Sequence, residues 1–285
     1  MPMSNYKVYK FLDQIVVHSG SQYSVPNIPW DDFVNRNGLN DFISENFNDW
    51  KSIDEVAFNS NQIIAPIGHQ ELWASGVTYM RSKEARMEES KKSHGDYFYE
   101  KVYDADRPEL FFKAAAHRVV GSNDIVNIRR DSIWNVPEPE LTLFISSEGT
   151  IEGYTIGNDM SSRSIEGENP LYLPQAKSYD RSAAIGPCLY VPYSPLSLES
   201  KIELIIKRND AEVFAGAIAI NQMKRQLKEL VEYLFLECSF AYGCYLMTGT
   251  GIIPHDDFTL QPGDEVRISI ENIGTLINTV GMKAN

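Results

Sequence analysis

Cysteine is scarce in this chain of 285 residues. There are three cysteines, Cys188, Cys238 and Cys244, and the five histidines are scattered along the sequence. The cysteines are odd in number and lack metal-ligand spacing, a pattern typical of reduced thiols rather than of a disulfide framework or a cysteine zinc site. We therefore expect a reducing, cytoplasmic compartment.

Long hydrophobic runs and positive charge are lacking as well. No stretch approaches the ~18 consecutive apolar residues of a transmembrane helix, and we expect no signal peptide, because no basic segment precedes an apolar run. The 26 basic and 39 acidic residues give a formal net charge of −13. Such a balance disfavours nucleic acid and anionic membranes, which bind through basic side chains.

What remains is an ordinary globular composition, with 43% hydrophobic and 23% charged residues. Short alternating runs and one helical patch predict a small N-terminal α+β domain over residues 1–68. Pro66 and Gly68 mark its boundary, since proline and glycine interrupt regular elements. Residues 69–285 are predicted to form a strand-rich catalytic domain.

One amphipathic helix is predicted over residues 222–239, where apolar residues recur at helical spacing and Asn221 stands at the N-cap position. The charged stretch 80–103 is either a lid over a site or a solvated surface helix. Further strands are predicted over residues 189–191, 201–208 and 265–270.

The most informative segment is an E-x-E pattern, Glu138-Pro139-Glu140, in a predicted strand. Strand side chains alternate, so Glu138 and Glu140 project from one side with Cβ atoms about 6–7 Å apart. Two carboxylates that close repel each other unless a cation lies between them or one is protonated. Pro139 weakens ladder pairing, which favours a sheet edge or a bulge near a site.

A predicted hairpin supplies a third carboxylate. Residues 147–150 form a glycine-containing turn between two alternating runs. If residue 147 lies opposite 150 and residue 145 opposite 152, Glu138 is the cross-strand neighbour of Asp159, with Cβ atoms ~4.5–5.5 Å apart. This register places a set of apolar residues together on the opposite face. They are Leu141, Leu143, Ile145, Tyr154 and Ile156.

Three converging carboxylates without cysteine or histidine suit a hard cation with oxygen ligands. Mg²⁺ is the first expectation, and Mn²⁺ or Ca²⁺ would suit the same ligands. Three protein ligands leave coordination positions for water or substrate, as a catalytic metal requires. The alternative is a solvated acidic sheet edge, because E-x-E is common in strands.

The sequence around these residues resembles the fumarylacetoacetate hydrolase family over residues 72–283. The motifs that carry the resemblance are Glu138-Pro-Glu140, the stretch 153–163, Lys177, Gly186-Pro187, Thr248-Gly-Thr-Gly251, Gln261-Pro-Gly-Asp264 and Ile273-Gly-Thr. Three narrower blocks, residues 100–104, 107–113 and 166–177, are similar to the branch of the family that dehydrates 2-keto-3-deoxy-D-arabinonate.

The resemblance implies an α+β, strand-rich fold with a mixed β-sandwich or β-roll catalytic domain, in a homodimer or homotetramer. It implies that Glu138, Glu140 and Asp159 bind Mg²⁺. It also implies a catalytic lysine at Lys177, a substrate-side arginine at Arg163, and a turn near the substrate carboxylate. That turn contains Gly249 and Thr250.

One departure from the family pattern bears on the reaction. Hydrolases of this family carry Tyr-x-x-His-x-x-Glu, and the corresponding residues here are Tyr79, Ser82 and Ala85. Without that histidine and glutamate, the usual base for a water attack on a C–C bond is missing, whereas elimination needs no attacking water. Tyr79 and Ser82 remain candidates for substrate contact.

The favoured activity is therefore dehydration of a 2-keto-3-deoxy sugar acid. The alternatives are a C–C hydrolase or decarboxylase of acylpyruvates, 2,4-dioxo acids or oxaloacetate, and a non-catalytic sugar-acid binding protein. Lys177 is the first candidate for the base, with structural pairing to the carboxylates as its alternative role. Glu109 and Glu166 are candidates to protonate the departing hydroxyl, and Arg163 to clamp the substrate carboxylate.

Overall fold

The computed structural model describes residues 4–55, 58, 60–81 and 101–284. The labelled helices are α1 (Trp30–Val34), α2 (Leu39–Asn46), α3 (Arg163–Glu168), α4 (Leu173–Lys177) and α5 (Leu227–Phe235). The strands are β1 (Tyr6–Lys10), β2 (Ile15–Ser19), β3 (Gln22–Val25), β4 (Lys51–Ile53), β5 (Glu71–Gly76), β6 (Glu109–Ala115), β7 (Val119–Val120), β8 (Ile125–Ile128), β9 (Asn135–Ile145), β10 (Ile151–Ser162), β11 (Ala183–Val191), β12 (Lys201–Arg208), β13 (Ala211–Ala219), β14 (Cys244–Met247), β15 (Glu265–Ile270) and β16 (Gly274–Met282). The strand-rich α+β class is confirmed. None of the described helices is long and apolar enough to cross a membrane.

Two sheets organise these strands. The larger has eleven strands in the order β4-β3-β2-β1-β11-β10-β9-β14-β5-β6, with β7 attached to β11. The smaller has five strands in the order β13-β12-β15-β16-β8. Strands β9 and β10 thus lie near the middle of the larger sheet.

The main hydrophobic core lies between the two sheets. In β12, buried Ile202, Leu204 and Ile206 alternate with more exposed residues, as a half-buried strand requires. Leu141 and Leu143 of β9 belong to the same core. Burial of each such side chain contributes about 1.5–3 kcal/mol, so this period-two pattern fixes which face of each strand turns inward.

A second core covers the other face of the larger sheet, where α1 and α2 pack. It joins Phe33 and Ile43 of these helices to Leu189 and Val191 of β11. Strand β1 pairs antiparallel with β11, so the N-terminal strands continue the larger sheet. The division into domains at residue 68 stays a prediction.

The predicted hairpin register is confirmed from Gly153 outward and is wrong at the turn. Asp159 lies opposite Glu138, but Ile145 pairs with Ile151, and a bulge at Glu152 restores the expected pairing. The reason is a three-residue loop, since the Ser146 N–H donates to the Thr150 carbonyl and Gly149 adopts a φ of +80°. A left-handed glycine closing such a loop is a usual hairpin solution.

The predicted helix over residues 222–239 is too long, and its predicted N-cap is wrong. Helix α5 starts only at Leu227, because Gln226 and Glu229 form a reciprocal capping box. Asn221 instead lies in a 3₁₀ turn and donates to Glu199. The predicted lid or surface helix over residues 80–103 falls largely on residues 82–100, which lie outside the described part of the chain.

Candidate metal centre

Three carboxylates meet where β9 and β10 pair. Asp159 lies directly opposite Glu138, and Gly157 lies opposite Glu140. One oxygen from each of the three carboxylates lies within 4.8 Å of the other two. Glu138, Glu140 and Asp159 are 5%, 1% and 1% exposed. The convergence expected from strand alternation is confirmed, and within the described residues no other such group of His, Cys, Asp or Glu occurs.

The predicted partition of the two strand faces is also confirmed. Leu141, Leu143, Ile145, Tyr154 and Ile156 all belong to the core between the sheets. The carboxylates project from the other face. Buried charge of this density is costly unless it is paired, so the surrounding cations decide what the site can do.

Lys177, the last residue of α4, reaches the carboxylates with a fully buried side chain. Its Nζ donates to Glu138 Oε2 at 2.7 Å, to Asp159 Oδ2 at 3.2 Å and to Ser161 Oγ at 2.6 Å. All three ammonium protons therefore have acceptors. The site lysine expected from sequence lies in contact with two of the three carboxylates.

Lys113 is a second buried lysine at the site, and sequence reasoning missed it. Its Nζ lies 2.5 Å from Asp159 Oδ1 and donates to the Met160 carbonyl at 3.0 Å and to the Lys177 carbonyl.

A bulge in β6 explains the direction of the Lys113 side chain. The β5–β6 register skips Lys113, since Leu72 pairs with Ala114 and Trp73 pairs with Phe112. Such a bulge re-aims a side chain. The one available sequence signal was a single lysine inside the apolar run of residues 110–116.

Arg163 supplies the third cation. It is 2% exposed and donates from Nη2 to Glu138 Oε1 at 2.8 Å. It opens α3, whose N-cap is Ser162. Buried Glu166 lies one turn further on, 4.0 Å from Arg163 Nε, so Glu166 is joined to the site through this arginine.

Glu140 is held by backbone rather than by a cation. The Gly249 N–H donates to Glu140 Oε2 at 2.5 Å, the one hydrogen bond to this carboxylate in the described part of the chain. Gly249 has a φ of +92°, and a Cβ there would overlap Thr78 Oγ1. Only glycine fits this approach. The hydroxyl of neighbouring Thr250 bonds within its own turn, with Ile252.

Two further residues predicted for the site, Tyr79 and Glu109, belong to the described part of the chain. Tyr79 is 1% exposed; burial, followed by the charge of Glu140, raises the pKa of its hydroxyl. Glu109 begins β6 opposite Gly76, where a Cβ on Gly76 would collide with the Glu109 carboxylate. Ser82 lies outside the described residues.

Of the three carboxylates, Glu140 is the one that has no cationic side chain bonded to it within the described residues. Lys113, Lys177 and Arg163 contact only Glu138 and Asp159 of the three carboxylates. Burial, reinforced by the charges of Asp159 and Glu138, raises the pKa of Glu140 well above its ordinary value. Carboxylate oxygens accept more than one partner each, so a shared hard cation fits this all-oxygen ligand set.

Comparisons with known proteins agree with the fold. The family model for the fumarylacetoacetate (FAA) hydrolase C-terminal domain matches residues 77–281. The chain is 44% identical over 250 residues to a probable 2-keto-3-deoxyxylonate dehydratase of Haloferax volcanii, covering 87% of this chain and 84% of that protein. It is 44% identical over 226 residues to 2-dehydro-3-deoxy-D-arabinonate dehydratase of Saccharolobus solfataricus, covering 78% and 75%.

A solved structure extends the likeness to the whole chain. 2-Keto-3-deoxy-D-arabinonate dehydratase complexed with magnesium and 2,5-dioxopentanoate matches with a TM-score of 0.82 at 34% identity, over 99% of this chain and 100% of that chain. From the family model and these relatives, the chain belongs to the fumarylacetoacetate hydrolase family.

Proposed function

We propose that this chain is a Mg²⁺-dependent dehydratase, a hydro-lyase, of a 2-keto-3-deoxy sugar acid such as 2-keto-3-deoxy-D-arabinonate, giving a 2,5-dioxo acid. The observation that carries the proposal is the buried cluster of Glu138, Glu140 and Asp159. It occurs in a chain that matches, from end to end, a dehydratase complexed with magnesium and 2,5-dioxopentanoate.

Glu138, Glu140 and Asp159 would hold the ion. A bound Mg²⁺ would act as a Lewis acid towards the carboxylate and keto oxygens of a 2-oxo acid, which makes the proton on C3 more acidic. The high pKa of metal-free Glu140 supports the assignment, because a buried carboxylate beside two others is stabilised by a proton or a cation.

In its neutral amine form, Lys177 is proposed to accept the C3 proton. Its Nζ is fixed between Glu138, Asp159 and Ser161, so the position of the base does not depend on a flexible side chain. Lys113 holds the carbonyl of Lys177 and thereby anchors the end of α4. A base pre-positioned in this way loses little conformational entropy on reaction.

Departure of the C4 hydroxyl needs a proton donor, and Glu166 and Glu109 are proposed for that role. Lys177 takes the proton from C3, and the acid gives a proton to the C4 hydroxyl, which leaves as water. Return of the proton from Lys177 to the acid through solvent completes the cycle, so the net change is the loss of one water molecule. Tautomerisation of the remaining 5-hydroxy enone gives the aldehyde at C5, hence the 2,5-dioxo acid. Of the two, Glu166 is tied to the carboxylate cluster through Arg163.

The remaining residues are proposed to orient the substrate. Arg163 suits the substrate carboxylate, since a guanidinium binds carboxylates in a planar fork. Gly249, Thr250, Tyr79 and Ser82 are proposed to line the rest of the substrate site.

Assembly as a homodimer or homotetramer, and a cytoplasmic location, are proposed on the sequence evidence. The free thiols of the chain, of which Cys188 and Cys244 are buried, support a reducing compartment.

The test is a substrate panel with product identification. Purified protein with Mg²⁺ is incubated with 3-deoxy-2-oxo pentonates and hexonates, and products are identified by mass spectrometry. We expect at least one pentonate to lose about 18 mass units, the mass of one water molecule; a chelator should abolish this reaction and Mg²⁺ should restore it. If the whole panel stays intact, the proposal is wrong.

Two controls separate the reaction classes. Acetylpyruvate and oxaloacetate under the same conditions would reveal a C–C hydrolase or decarboxylase. Glu140→Gln should abolish the dehydration, whereas Glu203→Gln, an exposed change on β12, should leave it intact.

A further inference from the structure

Arg225 binds a short turn, residues 101–106, that has no role in the proposed chemistry. It is 8% exposed, and its guanidinium donates to the carbonyls of Val102 at 3.2 Å, Ala105 at 2.5 Å and Asp106 at 3.0 Å. Glu229 of α5 accepts a further bond at 2.6 Å. Residues 101–104 are helical, so the arginine satisfies carbonyls at a helix C-terminus. This many bonds on one buried guanidinium indicates a fixed structural junction.

The residues before Arg225 grip a second segment, at the exit of β5. The Lys224 N–H donates to the Thr78 carbonyl at 2.9 Å, and Met223 forms a β-bridge with Tyr79. Lys224 Nζ also donates to Asp104 and lies 4.2 Å from the ring centre of Tyr103. Residues 223–225 therefore fasten both the exit of β5 and the turn over residues 101–106.

The backbone between these grips is strained. Val77 has a φ of +54°, a left-handed conformation that a β-branched residue rarely adopts. It is 4% exposed and packs in a small cluster with Val102 and Tyr103. Strain of this kind persists only where the surroundings enforce it. Here the enforcing contacts come from the side chains of Val102 and Tyr103, which Arg225 and Lys224 hold in place.

Hydrogen bonds connect the strained turn at Val77 to Glu140, a proposed metal ligand. Thr78, which follows Val77, has a fully buried side chain, and its Oγ1 donates to the Thr248 carbonyl at 2.8 Å. Gly249, which follows Thr248, donates its N–H to Glu140 Oε2. A continuous set of contacts thus runs from Arg225 through Thr78 to Glu140.

We infer that Arg225 is a positioning residue: through the Val77 turn and Thr78 it holds the Gly249 N–H on Glu140 and so sets the affinity of the site for a divalent cation. The inference rests on the proposed function only in taking Glu140 as a Mg²⁺ ligand. Residues that orient a metal ligand without touching the metal typically alter affinity by about 10–100-fold.

The experiment is titration of the full chain with Mg²⁺ alone, by isothermal calorimetry, together with thermal unfolding. Arg225→Gln and Thr78→Val should each raise the Kd for Mg²⁺ by roughly tenfold, near the lower end of that range. Thr78→Val keeps the side-chain shape and removes only the hydroxyl donor. Arg225→Lys keeps the charge but not the fork, and should fall between wild type and Arg225→Gln.

Arg208→Gln is the matched control. Arg208 is a partly buried arginine that bonds Asp264 and the Thr259 carbonyl, and it touches none of the residues in the contact path. It should lower the unfolding temperature and leave the Kd for Mg²⁺ unchanged. The double variant Arg225→Gln/Thr78→Val should bind Mg²⁺ about as weakly as the worse single variant, because both break one path.

The outcomes separate the two proposals. A Kd that stays within about twofold of wild type in both single variants, or effects that simply multiply in the double variant, would overturn the inference. So would a wild-type chain that does not bind Mg²⁺. If Arg225→Gln does not fold, Arg225→Lys and Thr78→Val decide the matter. A chain that binds Mg²⁺ with the expected variant effects but dehydrates nothing contradicts only the proposed function.

Discussion

Lys113 and Asp159 form a fully buried ion pair, with 2.5 Å between Nζ and Oδ1 and side chains 0% and 1% exposed. A buried charge pair offsets its desolvation only while both partners are present. Lys113 also competes with a bound metal ion for the oxygen atoms of Asp159. Stability and cation binding are therefore linked at this carboxylate.

Lys113→Met should destabilise the metal-free protein by up to about 3–5 kcal/mol, because the buried carboxylates lose one cation and Asp159 keeps only the 3.2 Å contact from Lys177. Mg²⁺ should restore part of the loss, so the shift in unfolding temperature on adding Mg²⁺ should exceed that of wild type. Differential scanning calorimetry with and without Mg²⁺ measures both. Lys113→Met/Asp159→Asn, which removes both charges, should recover most of the metal-free stability; if it does not, lost packing explains the effect.

Glu140→Gln should weaken Mg²⁺ binding by more than roughly 100-fold. That factor is the upper end of the loss seen when a residue that only orients a metal ligand is changed, and Glu140 is proposed as a ligand itself.

In metal-free protein the same change, Glu140→Gln, should be stabilising. Burial raises the pKa of Glu140, so the native state favours the proton, and this contribution is lost as pH rises above the ordinary glutamate range. The gain from glutamine should therefore grow from pH 5 to pH 8 in denaturant titrations. A gain that shrinks over this range would contradict the assignment.

Mg²⁺ binding should release protons. Metal-free Glu140 has a raised pKa, caused first by burial and then by Asp159 and Glu138, whereas the metal-bound form must be ionised. The Kd for Mg²⁺ should thus increase as pH falls below the pKa of the metal-free site. Calorimetry in two buffers of different ionisation enthalpy counts the protons released. Identical apparent enthalpies in both buffers would show that Glu140 is already ionised.

Gly157→Ala should destabilise the protein by about 1–3 kcal/mol, the usual cost of overpacking a close-packed interior. A Cβ at Gly157, opposite Glu140 in the ladder, would overlap Thr142 Oγ1 and crowd Met247. Urea unfolding measures the loss. Gly157→Ala/Thr142→Ala removes the overlapping hydroxyl and should regain part of the stability. No regain would locate the obstruction at Met247 instead.

The convergence of the carboxylates was predictable because it depends on local rules. Alternation in β9 and a turn ending in Gly149 place Glu138 opposite Asp159 even though the loop is one residue longer than expected. The bulge at Glu152 cancels that error. The start of α5 was also available, since Gln226 and Glu229 have capping-box spacing, but the apolar periodicity was extended beyond it.

Lys113 could not be placed from sequence because its direction depends on non-local pairing. The bulge that turns it inward arises where β6 meets β5, and its acceptors come from β10 and α4. Nothing within the segment 107–113 specifies those partners. The same holds for Arg225, whose three backbone-carbonyl acceptors lie more than a hundred residues away in the chain.

Strand β1 has a further consequence through its pairing with β11, the neighbour of the strand that carries Asp159. Tyr6, Lys7 and Val8 cover the margin of β11 at Leu189, Tyr190 and Val191. A protein trimmed to the segment 77–281 that matches the family would lose β1 to β5, which exposes this edge of β11 and also the edge of β14 that β5 covers. Exposed strand edges pair with other chains. Such a trimmed product should collect in inclusion bodies, so expression designs need to retain the first strand.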